Sequence, residues 1–106
     1  MDIMTDNDDL KRKPIRYTLR LAEQLDKAIA YLREIAPKQA EIMGKQFFKA
    51  MRLLEAMPGI GTKYKNGMRK IRLGKFRYNI YYREKENETE ILGIWHTSRG
   101  TEFEEL

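Results

Sequence analysis

The residues best placed to do chemistry lie between Met68 and Arg83, with a few beyond. Lys70 and Arg72 alternate with Ile71 and Leu73. After Gly74-Lys75, Arg77, Asn79, Tyr81 and Arg83 alternate with Phe76, Tyr78, Ile80 and Tyr82. Successive side chains of a strand point to opposite faces, so this stretch predicts a hairpin with one apolar face and one cationic face. Guanidinium groups hold phosphate and carboxylate oxygens in bidentate pairs, so such a face suits a polyanion, either nucleic acid or an acidic protein segment. Metal-independent cleavage of a phosphodiester asks for more. One group must help deprotonate the attacking hydroxyl, one must offset charge on phosphorus, and one must protonate the leaving oxygen. Arg72, Arg77 and Arg99 are candidates for the charge role, with Lys70 as a point charge. His96, the single histidine, is the candidate proton carrier, because its side-chain type titrates near neutrality. Tyr81 is the fallback, as a proton donor or a surface on which a base stacks. A plain structural alternative stands beside each role. His96 equally suits a hydrogen-bonded place in a strand, Trp95 a place in the core, and the arginines a docking surface for a partner.

Composition narrows the classes. The 106 residues suit one domain, with 42% hydrophobic and 35% charged side chains. The absence of cysteine removes disulfides, thiol catalysis and the usual zinc ligand sets, and with one histidine neither a metal site nor a cofactor is expected. The formal charge of +5 is compatible with a polyanionic partner and equally with a merely basic domain. No signal-like or membrane-spanning apolar run is present. With the lack of cysteine, this reads as a cytoplasmic protein without a membrane partner.

The elements that must position these residues follow from hydrophobic period. Residues 1–14 are dense in charge and poor in apolar side chains, and read as a flexible tail ahead of a single domain at 15–106. Ile15 to Leu21 alternates like a half-buried strand, with Ile15, Tyr17, Leu19 and Leu21 inward and Arg16 and Arg20 outward, extending the cationic face. From about Ala22 the period becomes helical, with Leu25, Ala28, Ile29, Leu32 and Ile35 on one stripe. Pro37 breaks this helix near Ala36 and starts a second. The second runs to about Met57 on a stripe of Ala40, Met43, Phe47, Met51, Leu54 and Met57, flanked by Phe48 and Leu53. Pro58-Gly59 stops it. Gly59 to Gly67 reads as a basic loop. The hairpin follows, then a charged turn at Glu84 to Glu88 and a last strand from Glu90 to Thr97. That strand's two faces, Ile91, Gly93 and Trp95 against Leu92, Ile94 and His96, are both apolar or small, so its facing stays open. The expected fold is α+β: an N-terminal strand, an antiparallel helical hairpin and a three-stranded antiparallel meander, with the helices on one face of a single small sheet.

This arrangement resembles the RelE/ParE superfamily of bacterial type II toxin–antitoxin toxins. The resemblance covers Ile15 to Arg99. It rests on the opening strand, the long hairpin ending in Met57-Pro58-Gly59-Ile60-Gly61, the segments Arg69 to Leu73 and Phe76 to Arg83, and the ending Glu90 to Arg99. It implies a growth-arresting toxin that a cognate antitoxin neutralises in a hetero-oligomer. The long hairpin and the His-x-x-Arg form of His96 to Arg99 look more like the ParE-like branch, described as DNA gyrase poisons. The RelE-like branch implies instead a ribosome-dependent mRNA endoribonuclease, whose basic set is similar to Lys70, Arg72, Arg77 and Arg99. RelE-like members also carry a tyrosine on a C-terminal helix, and nothing after Arg99 here resembles it. A third reading is a non-toxic binding module of the same fold. On the ribonuclease reading, Arg72, Arg77, His96 and Arg99 would be catalytic. On any reading, Arg16, Arg20, Lys70, Arg72, Arg77, Tyr81 and Arg83 would meet the target or the antitoxin.

Overall fold

The computed structural model of the protein describes residues 12–105. Strand β1 (Ile15–Tyr17) leads into helix α1 (Leu19–Ile35), and helix α2 (Pro37–Ala56) returns beside it. A short strand β2 (Thr62–Lys63), a 3₁₀ turn (Lys65–Gly67), and strands β3 (Arg69–Arg72), β4 (Tyr78–Glu84) and β5 (Thr89–His96) complete the order. The five strands form one sheet in the order β1-β5-β4-β3-β2. The β2–β3, β3–β4 and β4–β5 pairs are antiparallel, and β1 runs parallel to β5. The expected α+β architecture and meander are therefore present. The loop after α2 additionally contributes the edge strand β2.

The alternation of Ile15 to Leu21 misleads after Tyr17. Thr18 is an N-cap: its side chain accepts the Leu21 amide at 3.1 Å and donates to the Ile91 carbonyl at 2.9 Å. One hydroxyl thus starts α1 and ties it to the sheet. Leu19 is consequently 74% exposed on the first helical turn, while Leu21 is buried. The break at Ala36 falls where Pro37 demands it, with Pro37 opening α2.

The main core lies between the helical hairpin and one sheet face. Leu21, Met43, Phe47, Met51 and Leu54 meet Leu73, Ile80, Tyr82, Ile91 and Ile94 there. Ile35, Met57, Phe48 and Leu53, expected along or beside the apolar stripes, are exposed instead. Phe76 lies in the β3–β4 turn rather than in a strand. Tyr82 fixes the chain's exit from α2. Its fully buried hydroxyl donates to the Pro58 carbonyl at 2.8 Å and accepts the Gly61 amide at 2.9 Å. Position 61 must be glycine for this approach, since a Cβ there would stand 2.5 Å from that hydroxyl.

The facing of β5, open in the sequence, is resolved by a bulge. Tyr81 pairs with Gly93 but Tyr82 with Ile91, so Leu92 is an extra residue in β5. The bulge shifts the phase of the alternation. Ile91 and Ile94 both face the helices, while Leu92 and Trp95 join a second cluster with Met68, Tyr81 and Phe103 on the opposite face. Lys13 and Pro14, expected in the tail, are held: Lys13 donates to Glu84 at 2.9 Å, and the Pro14 carbonyl accepts the Thr89 amide at 2.9 Å. The remaining tail expectation, for residues 1–11, lies outside the described residues.

Candidate functional site

The register of β3, β4 and β5 puts Lys70, Arg72, Asn79, Tyr81 and Arg83 on the face away from the helices, as the alternation predicts. Arg16 joins them through its pairing with Glu90. Arg77, expected with them, lies in the turn before β4 and borders a hollow on the helix side instead. The face is not open along its length. Residues 101–105 fold back across it, and Phe103, fully buried, stacks on Tyr81. Tyr81 is only 5% exposed, so the expected contact between its ring and a target is not available in this conformation.

Acidic side chains around Phe103 neutralise the cations beneath it. Arg83 forms a bidentate pair with Glu105 at 2.7 and 2.8 Å. This hydrogen bond, with the charge behind it, holds the Glu105 carboxyl below its usual range and raises the Arg83 guanidinium. Lys65 reaches Glu102 at 3.1 Å and also pairs with Glu104, and its ammonium is raised by those hydrogen bonds. Arg20, expected on a strand, extends from the first turn of α1. It donates to the Glu104 carbonyl at 2.6 Å and lies 4.6 Å from the centre of the Phe103 ring. Lys70 lies 5.3 Å from the centre of the Tyr64 ring, and the Tyr64 hydroxyl donates to the Phe103 carbonyl at 3.0 Å. Arg16 is taken up by Glu88 and Glu90. Of the seven expected binding residues, then, Arg16, Arg20, Lys70, Tyr81 and Arg83 have internal partners. The sequence reading missed Tyr64, Lys65 and the 102–105 segment. The available signal was a single aromatic residue among glutamates, downstream of a strongly basic hairpin.

Arg72 and Arg77 are exposed. Arg72 borders a hollow of about 540 Å³ beside Lys49 and Leu53 of α2. Arg77 and His96 border a different hollow, and His96 and Arg99 a third that adjoins it. Three of the four proposed catalytic residues are thus brought to one end of the sheet, and Arg72 is not among them. The bulge turns His96 toward the helix side, edge-on to Tyr78 with ring centres 5.0 Å apart.

The hydrogen bonds of His96 define its tautomer. The Ser98 amide donates to Nδ1 at 3.2 Å, and the Ser98 hydroxyl lies 2.6 Å from the same atom. An amide can only donate, so Nδ1 carries the lone pair and the ring proton sits on Nε2. In this arrangement Nε2 is a hydrogen-bond donor. Arg99 is held by stacking, its guanidinium 4.2 Å from the centre of the Trp95 ring. Among the described residues no cluster of three His, Cys, Asp or Glu side chains is arranged to hold a metal ion, and no helix is long and apolar enough to cross a membrane.

Two helices on one face of a five-stranded mixed sheet, with a basic meander beneath, define a small α+β domain of the kind found in RelE/ParE superfamily toxins. Residues 15–100 match the family described as ParE toxin of type II toxin-antitoxin system, parDE, and the chain belongs to that family. Among solved structures it is similar to a chain from the chromosomal ParDE toxin–antitoxin system of P. aeruginosa. That match has a TM-score of 0.74 and 20% identity over 83% of this chain and 99% of the other. Comparison with curated protein sequences gives no match.

Proposed function

We propose that the protein is a type II toxin that arrests growth by poisoning DNA gyrase and is neutralised by a cognate antitoxin in a hetero-oligomer. The observation that carries the choice of target is the closure of the cationic sheet face by residues 101–105, centred on Phe103 over Tyr81. A ribonuclease of the RelE kind would need that face for its substrate. Exposed Ile35 and Phe48 on the helical hairpin suit a protein partner. The protein acts, on this reading, in the cytoplasm.

Tightly controlled expression, followed by mapping of chromosomal breaks and transcript ends, tests the reading. Gyrase-dependent DNA breaks with intact transcripts are expected, together with loss of supercoiling by gyrase treated with the pure protein. Codon-positioned cuts in mRNA would overturn the gyrase target in favour of ribosome-dependent cleavage. Undisturbed growth would leave a non-toxic binding module of the same fold.

A further inference from the structure

The two hollows that meet at His96 have the make-up of a ligand site. They measure about 380 and 330 Å³ and share Ala28 and Tyr31 of α1 with Tyr78 and His96 of the sheet. Lys75 and Arg77 border one, and Lys27 and Arg99 the other; no carboxylate lines either. In a chain with 16 acidic residues, that is a marked segregation. It contrasts with the far side of the sheet, where Arg16, Lys65 and Arg83 are all ion-paired. Among the described residues none of Lys27, Lys75, Arg77 and Arg99 has an ion pair.

His96 and Gln24 both offer donors at this end. His96 presents Nε2–H, because Nδ1 is taken by Ser98. The Gln24 carbonyl oxygen accepts the Ile94 amide at 2.8 Å, which leaves the Gln24 amide group as the donor in the hollow it lines. The Arg99 guanidinium lies over the Trp95 ring, 4.2 Å from its centre, which restrains its fork. A lining with several cations, these donors and no carboxylate selects a compact anion rich in acceptor oxygens, of which phosphate is a match. Tyr31 is 66% exposed beside these donors, an unused aromatic surface for a planar ring. An acidic peptide would satisfy the cations but leave that ring uncovered.

We propose that this groove binds a nucleoside phosphate, with the phosphate on Lys27, Arg99 and His96 Nε2–H and the base stacked on Tyr31. It is proposed as a binding site, with no cleavage step assigned to it. It stands independently of the gyrase reading. The ligand is either a free nucleotide or a nucleotide within a single strand, which present the same chemistry.

The test titrates the full-length protein with adenosine monophosphate, a short oligodeoxyadenylate, inorganic phosphate and a short polyglutamate peptide. Calorimetry and the fluorescence of Trp95, the one tryptophan, both report binding. Adenosine monophosphate is expected to bind at low millimolar concentration or below, and more tightly than phosphate or polyglutamate. Tyr31→Ala is expected to weaken it about tenfold through loss of stacking. Lys27→Gln is expected to weaken it and to flatten its salt dependence. Both residues are exposed, so circular dichroism should be unchanged in either variant. Tighter binding of the strand than of the mononucleotide identifies a nucleic-acid ligand, and equal binding a free nucleotide. The proposal is overturned if phosphate or polyglutamate binds as well as adenosine monophosphate, if Tyr31→Ala leaves affinity intact, or if none of the probes binds.

Discussion

Phe103 lies flat on Tyr81, with ring centres 4.4 Å apart and planes 7° from parallel. The pair centres a second hydrophobic cluster on the sheet face that the helices do not cover, with Met68, Leu92 and Trp95 around it. Truncation to Phe103→Ala should cost about 3–5 kcal/mol, as for other buried phenylalanines. Urea unfolding measures this. A change near zero would mean that residues 101–105 do not hold the sheet in solution.

Gly93 sits directly beneath that phenylalanine. A Cβ at position 93 would stand 2.7 Å from both Phe103 and the Gln24 side-chain oxygen. Gly93→Ala should therefore displace one of the two, either lifting Phe103 or breaking the Gln24 bond to Ile94. Amide exchange at Ile94 and the fluorescence of Trp95, whose ring contacts Phe103 edge-on, should distinguish these outcomes. Wild-type behaviour of both probes would contradict the packing.

The clamp on the C-terminal segment should respond to pH at both extremes. Glu105 titrates below its ordinary value of 4.5 because Arg83 hydrogen-bonds its charged form. A depressed carboxyl contributes stability above its unfolded value, and that contribution is lost as pH falls through the folded value. Lys65 is raised from 10.5, so its contribution is complete below that pH and is lost only as pH rises well above it. Trp95 should report release of the segment in the acid limb, since its indole N–H donates to the Thr101 carbonyl at 2.9 Å. In Glu105→Gln the acid limb should shrink. An identical limb in both proteins would place the transition elsewhere.

Tyr82→Phe removes one oxygen and strands the Gly61 amide and the Pro58 carbonyl. Leaving a buried donor unsatisfied costs about 1–3 kcal/mol, a loss that chemical denaturation resolves. Arg72→Ala and Arg77→Ala should behave in the opposite way. Both side chains are exposed, so unfolding midpoints should be unchanged while toxicity falls. Loss of the folded state in either variant would mean that these arginines carry packing not visible in the fold.

Much of this was legible from residue types. Alternation gave the hairpin and the facing of residues 69–72 and 78–83, though not of Phe76 and Arg77 in the turn, and Pro37 and Pro58 bounded α2. Three features escaped for local reasons. The apolar series Ile15, Tyr17, Leu19, Leu21 continues in period across a helix start, and only the capping role of Thr18 marks the change. A single extra residue, Leu92, shifts β5 out of strict alternation, and nothing in its apolar sequence announces a bulge. The fate of the cationic face depends on Phe103 and its glutamates, which fold back through a bend at residues 97–101. Charge alternation locates such a face but does not say what covers it.

The parallel pairing of β1 with β5 sets the order in which the fold can be completed. Ile15 lies opposite Thr89, and β5 separates β1 from β4. The helical hairpin rests on contacts close in sequence and can form early, and Leu73, Ile80 and Tyr82 can cover part of it, but the strand that β1 pairs with is missing until residues 89–96 arrive. Closing so long a loop costs entropy before the pairing returns it. On the ribosome, the half-made chain therefore has no sheet for β1 to join, and assembly of the toxin waits for the last fifth of the sequence.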